Sequence, residues 1–395
     1  MVSTERFSDL PEHMWPRLRG LLDSHPPGGE PLSLALGEPT HPFPSFVTDA
    51  IIENAAGFNK YPPNNGTPEL LEAMANWAQR RYGVSLDPDK NLMALNGTRE
   101  GLFNALVSLL PGESDGQPPA VIIPNPFYPV YMIGSLAVEA EPIFLPATAA
   151  NGFMPEVSKL DTETLNRTAV VFMCSPSNPQ GAVASKEYIG ELLELADKHD
   201  FKIFADECYS EIYNDAPPPG LLEVANTNGA DLERVVAFHS LSKRSNLPGL
   251  RSGFIAGGAK TIDACKQLRA YGGAPLPLPL QRAAEQVWAD EAHVEENRAL
   301  YREKFSTAAE IFAGVQGFEV PAGGFFLWLP VEDDEAAALK LWNETGVRVL
   351  PGSYLAQTVD GENPGQGYIR VAMVAPKEQL KSGLMKIREC LYEQG

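Results

Sequence analysis

Residues 235–253 read VVAFHSLSKRSNLPGLRSG, and this stretch joins an apolar strand to a polar loop. The run 235–238 is apolar throughout, and Lys243 follows it closely. Pro248, Arg251 and Gly253 then mark an irregular segment. In open α/β sheets, ligands bind where strands end and such loops begin. Lys243 is therefore a candidate for Schiff-base chemistry with a carbonyl group.

Further apolar runs surround this stretch and predict the rest of a sheet. They cover residues 91–95, 120–123, 169–173, 201–205, 235–238 and 254–256. Residues 99–110 and 187–199 have the apolar spacing of covering helices. Strands separated by helix-length segments are typical of a mostly parallel sheet that is covered on both faces.

The C-terminal part of the chain has a different pattern. The segment 272–279 reads GGAPLPLP, and its prolines exclude a helix interior or a central strand there. A long helical stretch is predicted from about 281 to 312. Strands predicted at 318–320, 324–329, 347–350 and 368–374 then indicate a smaller mixed or antiparallel sheet, which is a second lobe.

Composition excludes several classes of partner. The 395 residues carry a formal net charge of −20, whereas nucleic acid or an anionic membrane surface requires a clustered basic face. The four cysteines are far apart and contain no C-x-x-C pair, so neither a metal site nor a disulfide framework is indicated. Residues 1–9 are polar rather than a signal segment, and no apolar run is long enough to span a bilayer. We expect a soluble cytoplasmic protein.

Three polar segments follow predicted strands and are expected at one edge of the sheet. Gly97-Thr98-Arg99 starts a helix, where free N–H groups favour a phosphate, although Thr98 could simply be an N-cap. Asn178 lies in a proline-rich turn and could be a turn former only. Asp206 ends an apolar strand and requires a partner, either a protonated heterocyclic nitrogen or a helix N-terminus or arginine.

Two further side chains stand in unusual contexts. Tyr128 lies on a proline-restricted loop and could stack on a planar ring, or it could be a core aromatic. Arg370 lies within the apolar run 368–372, where a guanidinium needs a carboxylate. That carboxylate could belong to a substrate or to an internal Asp or Glu.

Taken together, these motifs resemble the pyridoxal-phosphate aminotransferases of the aspartate aminotransferase superfamily, fold type I, class I/II. The resemblance extends from residues 36–39, which read LGEP, to Arg370. The matching residues occur in the family's order and approximate spacing. They are Lys60-Tyr61 with Gly66, Gly97-Thr98-Arg99, Tyr128, Asn178-Pro179 with Gly181, Asp206 with Tyr209, Ser240 with Lys243, Arg251 with Gly253, and Arg370.

The resemblance implies an α/β fold with three segments. Residues 46–280 are expected to form a large domain that binds pyridoxal 5′-phosphate on a mostly parallel seven-stranded sheet between helices. Residues 281–395 are expected to form a smaller α+β domain with a linking helix. Residues 1–45 are expected to contribute to that small domain.

The resemblance also implies a role for each matching residue. Lys243 is expected to hold the cofactor as a Schiff base and to move a proton between the substrate α-carbon and the cofactor. Asp206 keeps the pyridine nitrogen protonated, Tyr209 and Asn178 hydrogen-bond the ring oxygen, and Tyr128 stacks on the ring. The phosphate is expected to contact the backbone of Gly97, Thr98 and Arg99, the Ser240 hydroxyl and Arg251.

Substrate and subunit contacts follow from the same resemblance. Arg370 is expected to clamp the substrate carboxylate, with Gly37 and Asn178 close by. Arg99 is the candidate for a distal carboxylate. Tyr61 is expected at the phosphate of the neighbouring subunit, which implies a homodimer with two shared sites.

The wording around Lys243 is most similar to the N-succinyldiaminopimelate aminotransferases of lysine biosynthesis. This similarity implies transfer of an amino group from glutamate to N-succinyl-2-amino-6-ketopimelate, which yields 2-oxoglutarate and N-succinyl-LL-diaminopimelate. Aspartate, alanine or aromatic aminotransferases and C–S lyases of the same fold are the alternatives.

Two alternatives lie outside this class of protein. Ser240-Leu-Ser-Lys243 matches the S-x-x-K pattern of penicillin-recognising acylases, but the accompanying K-T-G and S-D-N elements are absent from the sequence. A cofactor-binding regulator is the non-enzyme alternative, and such proteins usually add a DNA-binding segment. The acidic N-terminus leaves little room for one.

Overall fold

The computed structural model describes residue 7, residues 10–111 and residues 116–393. The prediction that the first nine residues form no signal segment falls almost wholly outside them. The strands are β1 (Leu32–Ser33), β2 (Leu92–Leu95), β3 (Ala120–Asn125), β4 (Glu141–Pro146), β5 (Thr168–Cys174), β6 (Lys202–Asp206), β7 (Val235–Ser240), β8 (Gly253–Gly257), β9 (Phe326–Pro330), β10 (Val347–Arg348), β11 (Leu350–Pro351) and β12 (Tyr368–Ala372).

Fourteen α-helices lie among the described residues. They are α1 (Met14–Leu22), α2 (Phe46–Glu53), α3 (Pro68–Tyr82), α4 (Thr98–Leu109), α5 (Pro129–Ala137), α6 (Thr162–Asn166), α7 (Lys186–His199), α8 (Leu221–Asn228), α9 (Leu241–Arg244), α10 (Ala259–Gly272), α11 (Leu278–Ala289), α12 (Ala292–Ile311), α13 (Asp334–Thr345) and α14 (Lys377–Tyr392). Among the described residues, no helix combines the length and apolarity that a bilayer crossing needs.

Seven strands form the large sheet, in the order β2-β8-β7-β6-β5-β3-β4. The five strands from β7 to β4 run parallel to one another, while β8 is antiparallel to both of its neighbours. Val235 and Ala237 of β7 belong to one apolar core, whereas Val236 and Phe238 belong to another. The sheet is therefore packed on both faces, and the prediction of a mostly parallel seven-stranded sheet is confirmed.

Helix α7 shows how local sequence signals build this layer. The Ser185 hydroxyl accepts a hydrogen bond from the Tyr188 N–H at the helix start, and Asp200 ends the helix in the left-handed conformation. Ile189, Leu192 and Ala196 recur at helical spacing and are buried against the sheet. The helix predicted at 187–199 is thus confirmed.

Strand β4 was not among the runs identified in the sequence. It lies at the edge of the sheet and pairs only with β3, and most of its residues are half-buried. It contains Pro142 and Pro146. Proline is tolerated at an edge because its missing N–H is not needed there, but it hides the strand pattern.

The C-terminal sheet differs from the prediction in two places. Strands β11, β12 and β9 form an antiparallel sheet, and β10 instead pairs in parallel with β1. The single strand predicted at 347–350 is therefore two short strands in two different sheets. The strand predicted at 318–320 is wrong, because this segment is irregular and Phe318 packs on Phe312 with ring centroids 5.3 Å apart.

The long helical stretch predicted at 281–312 is two helices, α11 and α12. Asp290 separates them with an extended backbone, and its carboxylate accepts a hydrogen bond from the His293 N–H at 3.1 Å. This side-chain cap competes with helix continuation. The N-terminal segment contacts the C-terminal part of the chain through the β1–β10 pair and through α1, which packs with Trp328, Trp342 and Leu350.

Candidate active site

The predicted site residues meet at one edge of the large sheet. Asp206 and Ser240 are the last residues of the adjacent strands β6 and β7, and Asn178 follows the end of β5. Lys243 lies in the short helix α9 directly after β7. Because the carboxyl ends of parallel strands share one edge, the sequence order brings these groups together as expected.

Lys243 has the environment of a reactive amine. Its Nζ donates a hydrogen bond to the Gly37 carbonyl oxygen at 2.7 Å and lies 5.1 Å from the centroid of the Phe325 ring. Burial lowers the pKa of Lys243 to about 8, and the nearby Arg370 charge acts in the same direction. A larger fraction of the amine is therefore neutral near physiological pH than in an exposed lysine.

Gly37 belongs to residues 34–42, which we call the strap. A Cβ atom at Gly37 would lie 2.5 Å from Cζ of Phe326, so only glycine lets the backbone pass so close to this ring. The Ala35 carbonyl of the same strap accepts a hydrogen bond from Arg370 at 2.9 Å. The strap thus contacts both buried cations of the site.

Asp206 is buried and held in a fixed orientation. Tyr131 Oη donates a hydrogen bond to Oδ2 at 2.8 Å, and the Cys208 N–H donates to Oδ1 at 3.3 Å. No arginine or lysine pairs with Asp206 among the described residues. An internal arginine partner for Asp206, one of the alternatives from the sequence, is therefore absent from the described residues.

Arg370 is a buried guanidinium without a carboxylate partner among the described residues. Its Nη1 donates to Asn178 Oδ1 at 3.0 Å, Phe326 lies 4.2 Å from the guanidinium carbon, and Nε has no partner in this part of the chain. Burial lowers the pKa of Arg370 to about 10. A buried charge with an unused donor is suited to a carboxylate from a ligand.

Tyr209 is buried between these groups and the small sheet. Its ring packs edge-on against Phe325 and Phe326, with centroids 5.2 and 6.0 Å away. Burial raises the pKa of the Tyr209 hydroxyl well above its usual range, so this group is a hydrogen-bond donor at neutral pH.

An anion cradle lies at the start of α4. Gly97 is the N-cap, with φ of 81°, and no side chain caps this helix. Thr98 is the first helical residue, and its Oγ1 lies 3.0 Å from Cys208 Sγ, so the N-cap alternative for Thr98 is wrong. The unsatisfied N–H groups of a helix start attract anions.

Arg251 and Ser240 complete the cradle. A Cβ atom at Gly97 would lie 2.1 Å from Arg251 Nη2, so the guanidinium packs directly on the glycine. Arg251 Nη2 also donates to the Asn96 carbonyl at 3.1 Å. The Ser240 hydroxyl accepts from the Ser242 N–H and donates to Ser242 Oγ; no hydrogen bond joins it to Lys243 among the described residues. The acylase reading of S-x-x-K therefore lacks its serine–lysine contact.

Arg99 and Tyr128 form a pair at the exposed side of the site. Arg99 Nε donates to Tyr128 Oη at 2.5 Å, and Tyr128 packs edge-on against Tyr131 with centroids 5.8 Å apart. Arg99 has no carboxylate partner within the described ranges. Stacking by Tyr128 and distal carboxylate binding by Arg99 stay predictions.

Tyr61 is not part of this cluster within one chain. Its side chain is fully exposed, at 102 % of the reference area. The role of Tyr61 at the partner subunit's site stays a prediction.

The sequence reasoning missed several groups that the fold brings to the site. Tyr131 lies in the first turn of α5, three residues after Tyr128, the N-cap of that helix, and this short separation could have signalled it. Phe325 and Phe326 carry no such local signal, because they approach Lys243 and Arg370 only through the tertiary fold.

The site combines a buried lysine of lowered pKa, Lys243, with an aspartate, Asp206, at the ends of parallel strands and beside an anion cradle. This combination defines an α/β enzyme that binds an anionic carbonyl cofactor. Comparison with known proteins makes the assignment specific. The chain belongs to the family Aminotransferase class I and II, whose sequence model matches residues 30–387.

Relatives and solved structures cover nearly the whole chain. An LL-diaminopimelate aminotransferase of Dehalococcoides mccartyi is 31% identical over 398 residues, covering 98% of each chain. One of Desulforudis audaxviator is 30% identical over 401 residues, covering 99% of this chain and 98% of its own. The structure of an aminotransferase from Neisseria meningitidis matches with a TM-score of 0.94 and 38% identity, over 98% of this chain and 99% of that one.

The family uses pyridoxal phosphate, and the residues present fit this group. The uncapped start of α4 and the Gly97 surface suit a phosphate, while the buried Lys243 amine suits an aldehyde. The chain is therefore a pyridoxal-phosphate-dependent aminotransferase.

Proposed function

We propose that this aminotransferase exchanges an amino group between glutamate and N-succinyl-2-amino-6-ketopimelate, which yields 2-oxoglutarate and N-succinyl-LL-diaminopimelate. The main observation behind this proposal is that two buried cationic side chains, Lys243 and Arg370, contact the same strap. One suits a carbonyl group and the other a carboxylate, so together they match a 2-oxo acid or an amino acid.

Each site residue has a proposed role in the reaction. Lys243 would hold the cofactor aldehyde and would carry the proton between the substrate α-carbon and the cofactor. Pyridoxal phosphate supplies, when bound, the electron sink for this proton transfer. Asp206, held by Tyr131, keeps the ring nitrogen protonated. Tyr209 and Asn178 donate to the ring oxygen, and Tyr128 packs on the ring.

The phosphate and carboxylate groups are assigned to separate cations. The N–H groups of residues 97–99, the Ser240 hydroxyl and Arg251 would hold the phosphate. The α-carboxylate binds Arg370 through its unused Nε, beside Asn178 and Gly37. Arg99, at the exposed side, receives the distal carboxylate that glutamate and the succinylated substrate both carry.

The substrate assignment rests on two supports. The wording of residues 240–253 is similar to the N-succinyldiaminopimelate enzymes, and several relatives are named LL-diaminopimelate aminotransferases. Those relatives' names also support a second candidate, LL-diaminopimelate without the succinyl group. We further propose a cytoplasmic homodimer in which Tyr61 reaches the partner subunit's phosphate.

Competing amino donors test the proposal. Purified holoenzyme is assayed with 2-oxoglutarate and, in parallel, N-succinyl-LL-diaminopimelate, LL-diaminopimelate, aspartate, alanine and phenylalanine. We expect the highest kcat/KM with the succinylated compound. A preference for free LL-diaminopimelate supports the second candidate, and equal or better turnover of aspartate, alanine or phenylalanine contradicts the pathway assignment.

A further inference from the structure

A buried polar network outside the cofactor site links Lys304 to the backbone of Lys243. Lys304 lies on α12 and is only 2 % exposed. Its Nζ lies 2.6 Å from His41 Nε2 and donates to the Val374 carbonyl at 3.2 Å. No carboxylate pairs with Lys304 within the described ranges. A buried lysine without an acidic partner is costly and requires an explanation.

The donor and acceptor roles in this network follow from its chemistry. A lysine ammonium only donates, so His41 Nε2 must accept and the ring proton must reside on Nδ1. His41 Nδ1 then donates to Asn297 Oδ1 at 2.9 Å. Asn297 Nδ2 in turn donates to the carbonyl oxygens of Lys243 and Arg244, each at 3.3 Å. Burial and the Lys304 charge both lower the pKa of His41, which agrees with a neutral ring.

Three separate parts of the site meet in this network. His41 and Thr40 belong to the strap, and Thr40 Oγ1 donates to the same Val374 carbonyl that Lys304 contacts. Val374 follows β12, the strand that carries Arg370. Asn297 reaches the helix that carries Lys243.

Lys304 itself is separated from the reacting amine by aromatic rings. Its ammonium lies 5.2 Å from the centroid of Tyr301, which stacks on Phe325 at 5.6 Å, and Phe325 lies beneath Lys243. Lys304 therefore does not touch the cofactor or the substrate, and any effect on the reaction must pass through the strap and the α9 backbone.

We propose that Lys304 is a positioning residue for amino-group transfer: through His41 and Asn297 it holds the strap in register with the Lys243 helix and with the end of β12. The proposal rests on the proposed roles of Lys243 and Gly37. Among the described residues, no β-strand pairs with residues 35–42 of the strap. The hydrogen bonds that hold them join single carbonyl or side-chain groups of the strap to other parts of the chain. Loss of the Lys304 donor should therefore let the strap move.

Three variants separate a hydrogen-bonding role from a charge effect or a general loss of stability. Lys304→Met removes the donor, whereas Lys304→Gln removes the charge but keeps an N–H donor on a side chain that is one bond shorter. Lys202→Met is the control, because Lys202 is a half-buried lysine whose ammonium also donates to a backbone carbonyl, and it lies at the start of β6, at the end of the strand away from the site. His41→Ala breaks the same network from the strap and serves if Lys304→Met does not fold.

The measurement is the change in the visible spectrum of holoenzyme on adding glutamate, recorded over a range of glutamate concentrations. We expect the half-saturating concentration to rise about tenfold or more in Lys304→Met and His41→Ala, with a smaller change in the limiting rate. Lys304→Gln should recover to within about threefold of wild type, and Lys202→Met should match wild type.

Several results overturn the proposal. One is a half-saturating glutamate concentration in Lys304→Met or His41→Ala that equals that of wild type. Another is an equal rise of this concentration in Lys304→Met and Lys304→Gln. The third is a rise in Lys202→Met as large as that in Lys304→Met. Failure of the proposed function has a different signature, because wild-type holoenzyme would then turn over aspartate, alanine or phenylalanine as well as or better than the succinylated compound in the donor panel. In that event the same variants are compared with whichever amino acid of the donor panel wild type accepts.

Discussion

The environment of the Lys243 amine determines how it reacts. It is buried, it donates to the Gly37 carbonyl, and it lies beside the Phe325 ring and close to the Arg370 charge. The sequence near Lys243 could not predict these contacts, because Gly37 and Phe325 are far from Lys243 along the chain. That Lys243 is the reactive lysine could be predicted, since the apolar strand before it and the polar loop after it adjoin it in the sequence.

The lowered pKa of Lys243 gives a pH prediction. Below about pH 8 the amine is mostly an ammonium, which has no lone pair to attack an aldehyde. The rate at which apoprotein takes up pyridoxal phosphate should therefore rise with pH and level off above about 8. Stopped-flow absorbance measures this rate, with free lysine as the control. A rate that still climbs steeply towards pH 10 contradicts the lowered pKa.

Arg99 offers a prediction on substrate choice. Arg99→Ala should reduce kcat/KM for glutamate by roughly fivefold or more and leave alanine almost unchanged, because only glutamate carries a distal carboxylate. Arg302→Ala is the matched control, since Arg302 is also exposed and lies beside a tyrosine ring, that of Tyr213. An equal loss for both substrates assigns Arg99 to the phosphate or to structure instead.

At the scale of elements, continuous apolar runs made six of the seven strands of the large sheet predictable. Strand β4 escaped because its prolines and half-buried residues carry no clear periodicity. The split of residues 347–350 between two sheets depends on partners distant in sequence, β1 and β12, which no local pattern encodes. Likewise, the α11–α12 break depends on one capping carboxylate, that of Asp290.

The start of helix α4 is the element on which the phosphate site depends. Gly97→Ala should weaken pyridoxal phosphate binding by about tenfold or more, because its Cβ would displace the Arg251 guanidinium. Gly83→Ala is the control: Gly83 also has positive φ, of 68°, but open space surrounds the added Cβ. Fluorescence titration of the apoproteins measures both affinities. Equal weakening in the two variants would attribute the effect to backbone strain alone.

At the scale of the whole molecule, the proposed domains are residues 46–280 and 281–395, with residues 1–45 joining the smaller one. The contacts of α1 and β1 with the C-terminal part agree with the proposed place of the N-terminal segment. The sequence motifs anticipated which residues meet inside one chain, but the contacts of the exposed Tyr61 depend on a second chain. A subunit contact leaves no periodic signal in the sequence of either partner.

The shared-site proposal predicts a specific effect of Tyr61. The protein should sediment as a dimer, and Tyr61→Phe should weaken cofactor binding by roughly fivefold, because one hydrogen bond to a charged phosphate is lost. Tyr271→Phe is the control, since Tyr271 is 94 % exposed and lies outside the described site. A monomer with full cofactor affinity contradicts the proposal.

The most direct test of the central claim is to locate the covalent bond between cofactor and chain. Yellow holoenzyme is reduced with borohydride and digested, and mass spectrometry identifies the modified lysine. Lys304 is a demanding internal control, because burial also lowers its pKa to about 8. We predict that the cofactor is fixed on Lys243 alone; attachment at Lys304 or another lysine, or colourless protein that cannot be reconstituted, contradicts this account.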